Sequence, residues 1–110
     1  MPENAAIVRR GYEAFNAGDL ETLGELVGQE AVFARLGRYM AETGGTFRAV
    51  LKRVLTDDDG RVIVIQRNVA ERNGKHLDVY SCIAFELVNG RIVDGCEHVY
   101  DLDAWDEFWS

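Results

Sequence analysis

A chain of 110 residues, 47% of them hydrophobic, is long enough for one domain with a real core, burying roughly 60–70% of the surface its unfolded form would expose. Its 19 acidic residues against 12 basic ones give a formal charge of −7, which repels phosphate backbones and anionic headgroups, so neither nucleic acid nor a membrane is an expected partner. The start, Met-Pro-Glu-Asn, has no basic leader and no stretch approaches the ~20 apolar residues of a membrane span, so a cytoplasmic location is expected.

Asn4 reads as an N-cap, and Ile7, Val8, Gly11, Tyr12 and Phe15 follow at helical spacing until Asn16-Ala17-Gly18 breaks the pattern. Asp19 can cap a second helix that carries Leu20, Leu23, Leu26 and Val27 on one side. From Gln29 to Thr43 the spacing of Val32, Phe33, Leu36, Tyr39 and Met40 is helical again, and only Gly28 and its neighbours separate the two stretches. Either Gly28 turns the chain sharply or one helix runs through it. Glycine inside a helix costs only about 1 kcal/mol against alanine, so the expectation is one long or mildly kinked helix from Asp19 to Thr43.

Gly44 and Gly45 stop the helical part. Strands are then expected over Thr46 to Leu55, Arg61 to Arg72, Lys75 to Val88 and Arg91 to Tyr100, joined by the acidic turn Thr56 to Gly60 and by Asn73-Gly74 and Asn89-Gly90. The two Asn-Gly pairs are strong two-residue hairpin signals, so Arg72 should face Lys75 and Val88 should face Arg91. The tail from Asp103 to Trp109 spaces Trp105, Phe108 and Trp109 as a short helix whose aromatics dock on the body of the protein. The fold class is therefore α+β: N-terminal helices on a four-stranded antiparallel meander, residues 1–110 forming one domain.

Counting the register outward from the turns places Gln66, Ser81 and His98 side by side on a face otherwise made of Val62, Val64, Leu77, Val79, Ile83, Phe85, Leu87, Ile92 and Cys96. A polar rung on an apolar face marks a pocket for an apolar small molecule. His98 is the candidate acid-base residue, because imidazole alone titrates near neutral pH without help. A lone histidine at the rim of an apolar face also serves as a hydrogen-bonded structural residue. Gln66, Asn68, Ser81, Tyr12, Asp94 and Tyr100 are the candidate ligand contacts, although Asp94 lies ~13 Å along the strand from His98 and cannot orient it.

The same count sends Cys96 inward and Cys82 outward, which forbids a disulfide between them. With no Cys-x-x-Cys or histidine cluster, and no acid to complete a cage around Asp57-Asp58-Asp59, no metal or other cofactor is expected. The outer face presents Ile63, Ile65, Val69, Tyr80, Cys82, Ala84, Val93 and Val99 among Arg67, Glu71, Glu86 and Glu97. That is too apolar to face solvent and implies a homodimer through the sheet.

Residues 8–20, reading Val-Arg-Arg-Gly-Tyr-Glu-Ala-Phe-Asn-Ala-Gly-Asp-Leu, and the ending from Gly90 to Ser110 resemble the SnoaL-like group of the nuclear transport factor 2-like superfamily, also called ketosteroid isomerase-like. The resemblance implies a cone-shaped α+β barrel with a pocket at one end, usually dimeric, in proteins that include polyketide cyclases, isomerases, hydrolases and non-catalytic members. It also exposes a gap. The family's strand between the second and third helices, which usually carries the general-base carboxylate, has no counterpart between Leu26 and Val32, and Gly11 and Ile83 stand where the isomerase keeps its tyrosine and buried acid. Isomerase chemistry of that kind is thus rejected. What remains is a small-molecule-binding cup, enzymatic or not, in which the two chains of a dimer exchange helices to cover the edge the absent strand leaves open.

Overall fold

The computed structural model describes residues 3–110. Helix α1 (Asn4–Ala17) buries Ile7, Val8, Gly11, Ala14 and Phe15, one stripe of its surface. Asn4 is its first residue rather than its cap; Glu3 holds the N-cap position without a side-chain bond, and the Asn4 amide donates instead to the Gly60 carbonyl at 2.8 Å. The helix ends on Gly18, in the left-handed region at φ 71°, with Asp19 N–H returning to the Ala14 carbonyl at 2.8 Å in a Schellman-type stop. Asp19 then caps α2 (Leu20–Leu26), its carboxylate accepting from Thr22 N–H at 3.1 Å.

The expected continuous helix is absent. Val27 is extended, and α3 (Glu30–Glu42) starts afresh beyond Gly28 and Gln29. The break has a partner in the sheet: Val27 forms a one-residue parallel bridge with Ile92, and Gly28 N–H donates to the Ile92 carbonyl at 2.6 Å. A Cβ on Gly28 would stand 3.2 Å from Arg91 Cβ and 3.3 Å from Val93 Cγ1, closer than ordinary contact, so glycine lets the chain make this approach without displacing its neighbours. Arg91 completes the join by donating to the carbonyls of Gly24, Glu25 and Val27, the unsatisfied C-terminal end of α2 where a cation is favoured. Hydrogen bonding to the sheet edge outweighs helix propagation here, and the expectation of helices exchanged between two chains loses its premise.

Strands β1 (Arg48–Thr56), β2 (Val62–Arg72), β3 (Lys75–Val88) and β4 (Arg91–Val99) form the antiparallel meander, in the order β1-β2-β3-β4. Both Asn-Gly loops have φ 51° at asparagine and 77° at glycine, the pair of positive values that a type I′ turn requires. Arg72 pairs with Lys75 and Val88 with Arg91 as the turns dictate. The helices cover one face of the sheet. Beneath them lie two apolar clusters, one around Phe15, Leu23, Phe47, Leu77, Val79 and Phe108, the other around Ile7, Val8, Leu26, Val62, Val64 and Ile92. The final helix α4 (Leu102–Trp109) docks its aromatics as expected: Trp109 stacks on Tyr39 and Phe47 at 5.4 and 6.2 Å between centroids.

The β3–β4 register departs from the sequence count by one residue. Leu87 pairs with Ile92 but Glu86 pairs with Asp94, so Val93 is an extra residue in β4, a β-bulge. Beyond it every side chain of β4 lies on the face opposite to the one expected, because side chains alternate with period two. Ser81 pairs with Val99, Ile83 with Glu97 and Ala84 with Cys96, which brings Glu97 and Val99 to the inner face and turns Cys96 and His98 outward.

Candidate functional site

Gln66 and Ser81 face each other across β2 and β3, as counted, and Asn68 lies one inward position further along β2. All three are buried, and a buried polar group must find a partner. They find one another in a chain with a single direction. The Tyr12 hydroxyl, on α1, donates to Gln66 Oε1; Gln66 Nε2 donates to Asn68 Oδ1 at 2.6 Å; Asn68 Nδ2 donates to Ser81 Oγ at 2.9 Å; and Ser81 Oγ donates to Glu97 Oε2 at 2.8 Å. The terminal acceptor is a carboxylate. Low local dielectric strengthens each bond of such a series and polarises the next.

Above the chain a cavity of about 100 Å³ opens between sheet and helices, many times the ~10–15 Å³ that one water needs. Its wall is mainly apolar: Phe15 from α1, Val32 and Leu36 from α3, Phe47, and Ile83, Phe85 and Ile92 from the sheet. Tyr12, Gln66, Asn68 and Glu97 supply the polar part, and Arg35 and Asp94, both exposed, line it as well. Gly95 leaves room here for an aromatic ring. It pairs with Phe85, and a Cβ on it would stand 3.2 Å from the Phe85 ring.

Burial pushes the Glu97 carboxyl above the ordinary carboxylate range, partly opposed by the Ser81 hydroxyl and by the positive charge of Arg35. Only one of its oxygens is bonded. Among the described residues no hydrogen bond reaches Oε1, and that atom is not sealed from solvent. Tyr12 is held well above the usual phenol range by burial first and then by Glu97, and Tyr39 is shifted the same way for the same reasons. Tyr12 is therefore a neutral hydroxyl at any physiological pH, whereas Glu97 is a carboxyl of the cup whose hold on a proton burial strengthens.

The expected site residues divide accordingly. Gln66, Asn68, Ser81 and Tyr12 are brought together, although Ser81 lies behind the cavity wall. His98 does not join them: it lies exposed on the outer face, pairing with Cys82 and standing 3.8 Å from the Cys96 sulfur. Tyr100, 62% exposed, is bonded through its backbone to Tyr80 and does not line the cup, whereas Asp94 does. Both thiols are free and share the outer face, not opposite ones. Glu97, counted to the outer face from sequence, is the functional candidate that the count missed. The available signal was Gly95, since glycine inside a strand marks a bulge or a close approach.

No protein-family model matches the chain, and no curated protein sequence does. Among solved structures the chain is similar to Bal32a, from a soil-derived mobile gene cassette, at 57% identity over 97% of this chain and 96% of that one, with a TM-score of 0.92. A protein of unknown function with a cystatin-like fold from Xanthomonas campestris aligns at 20% identity over 99% of both chains, TM-score 0.86. A proposed SnoaL-like polyketide cyclase from Jannaschia sp. CCS1 aligns at 17% identity over 96% of this chain and 90% of that one, TM-score 0.77. At identities of 17–20% the likeness is one of fold.

Proposed function

We propose that this chain, whose fold is shared by SnoaL-like polyketide cyclases, is a member of that group, that it binds an apolar oxygenated small molecule, and that Glu97 exchanges a proton with it. The observation that carries this reading is the state of Glu97: fixed through one oxygen by Ser81, open at the other, and raised in pKa by burial toward the range where a carboxyl serves as acid and base. The apolar wall would bind the carbon skeleton, and Gln66 and Arg35 offer N–H donors to a carbonyl. The reaction class is polyketide cyclase-like proton transfer next to a carbonyl: Glu97 takes a carbon-bound proton, the C–H electron pair passes into an enolate whose oxygen accepts from the Gln66 and Arg35 N–H groups, and Glu97 returns the proton to carbon. The reading extends to a homodimer, because among the described residues no helix packs on the sheet's outer face, where Val50 and Tyr80 are 38% and 41% exposed beside Ile63, Ile65, Val69, Cys82 and Ala84.

The test uses 2-tetralone, an apolar bicyclic ketone with acidic protons beside its carbonyl, in deuterated buffer. Stabilisation of the protein against heat, together with deuterium incorporation that falls by about 100-fold or more in Glu97→Gln, supports the reading, since general acid-base groups contribute 10²–10⁴-fold. Stabilisation with no exchange above the buffer rate would leave a non-catalytic binding module in its place.

A further inference from the structure

The hydrogen-bond chain cannot be reversed, and its direction restricts what the cup accepts. Asn68 Nδ2 donates not only to Ser81 but also to the Val79 backbone carbonyl at 3.3 Å. Turning the amide over would set Asn68 Oδ1 against that carbonyl, acceptor against acceptor, so the side chain is held one way round. Everything else follows from this one residue. With Asn68 Oδ1 directed at Gln66, Gln66 must present its NH₂ to it and its oxygen to Tyr12, which leaves Tyr12 to donate. With Asn68 N–H directed at Ser81, the Ser81 proton goes to Glu97 Oε2, so that oxygen is always an acceptor.

The polar groups offered to the cavity by this chain are then fixed. Tyr12 has spent its only proton and presents lone pairs; Glu97 presents Oε1; Asn68 has committed both N–H bonds; Gln66 retains one N–H. Two of the three groups that the hydrogen-bond chain offers are acceptors, and outside it the exposed Arg35 and Asp94 add one donor group and one acceptor group to the lining. From this polarity we infer that the cup selects an apolar, ring-sized ligand that donates a hydrogen bond, a phenol, an enol or a ring N–H, over one of the same shape that only accepts. The inference rests on the reading of the cup as a ligand site and deepens it. Asn68 and Gln66 set specificity from behind, as positioning residues, by fixing which atoms Tyr12 and Glu97 can show.

Three bicyclic probes of nearly equal shape separate donation from burial: indole, which donates; benzofuran, which only accepts; and indene, which does neither. Their affinities are measured by calorimetry on the wild-type protein and on Glu97→Gln at neutral pH. Wild type should bind indole about tenfold more tightly than benzofuran, the upper range of one hydrogen bond. In Glu97→Gln, Ser81 still needs an acceptor, so the new amide must turn its NH₂ to the cavity, and the indole preference should shrink to within about twofold while indene binds both proteins alike. Benzofuran binding wild type as tightly as indole, or the preference surviving in Glu97→Gln, overturns the inference while indene binding leaves the cup itself standing. Failure of all three to bind overturns both. The wild-type comparison decides without the variant should Glu97→Gln fold poorly.

Discussion

Replacing Ser81 by alanine removes the link between the buried amides and the carboxylate, and the structure sets the size of the loss. Ser81 is fully buried, accepts from Asn68 at 2.9 Å and donates to Glu97 at 2.8 Å. A hydrogen bond to a charged group contributes about 1.5–3 kcal/mol, whereas Asn68 Nδ2 keeps the Val79 carbonyl and is not left without a partner. The expected destabilisation is therefore about 2–3 kcal/mol at neutral pH, dominated by the Glu97 bond. Its pH dependence distinguishes this cause from lost packing. Desolvation already raises the Glu97 carboxyl and the Ser81 hydroxyl opposes that shift, so Ser81→Ala should raise it further. The variant then loses most stability where Glu97 is ionised, and the difference from wild type narrows as pH falls and both proteins protonate Glu97. Urea denaturation across a pH series measures the first effect and carbon-detected titration of the Glu97 carboxyl the second. A loss under about 0.5 kcal/mol, the level of a neutral surface change, with an unmoved Glu97 titration would refute the account of the chain.

Glu97→Gln should be more stable than wild type at neutral pH, with an advantage that narrows on acidification. The native state binds this proton more tightly than the unfolded chain, so the group's contribution to stability falls as pH rises from the ordinary carboxylate range through the raised native value; thermal melts at several pH values check the sign. Gly28→Ala should destabilise by about 1–3 kcal/mol, the cost of overpacking against Arg91 and Val93, where a continuous helix would have gained stability from alanine; chemical denaturation decides between the two signs. His98→Ala should leave ligand-induced stabilisation and tetralone exchange unchanged, because the imidazole lies on the face away from the cup, and loss of either would restore histidine as a participant. Tyr80→Arg, at an exposed apolar position on the outer face, should shift the protein from dimer to monomer in light scattering, since burying an unpaired charge costs several kcal/mol.

The parts of this fold that sequence made legible are those where a local rule and the tertiary outcome agree. The Asn-Gly pairs demand positive φ at two successive residues, few other turns satisfy that, and the strands they join begin in the register they impose. Gly28 was read with the right local cost and the wrong outcome. About 1 kcal/mol for a helical glycine is correct in isolation, but the deciding bonds, Gly28 N–H to Ile92 and Arg91 to the α2 carbonyls, join residues some 60 positions apart in sequence, and no local pattern announces them.

The bulge at Val93 has the larger consequence. Ile92-Val93-Asp94 reads as ordinary strand, and one extra residue leaves no mark on composition or hydropathy, yet it inverts the inside and outside of the positions from Gly95 to Val99. A strict two-residue alternation would put imidazole and thiol in the cup and leave Glu97 in solvent. With the bulge, the strand instead delivers a carboxylate beneath an apolar wall, sets Gly95 where the Phe85 ring needs room, and turns His98 away. The two hairpin turns place Gln66 and Ser81, but Val93 decides which acid meets them. The chemistry open to this cup therefore depends on one residue whose side chain takes no part in it.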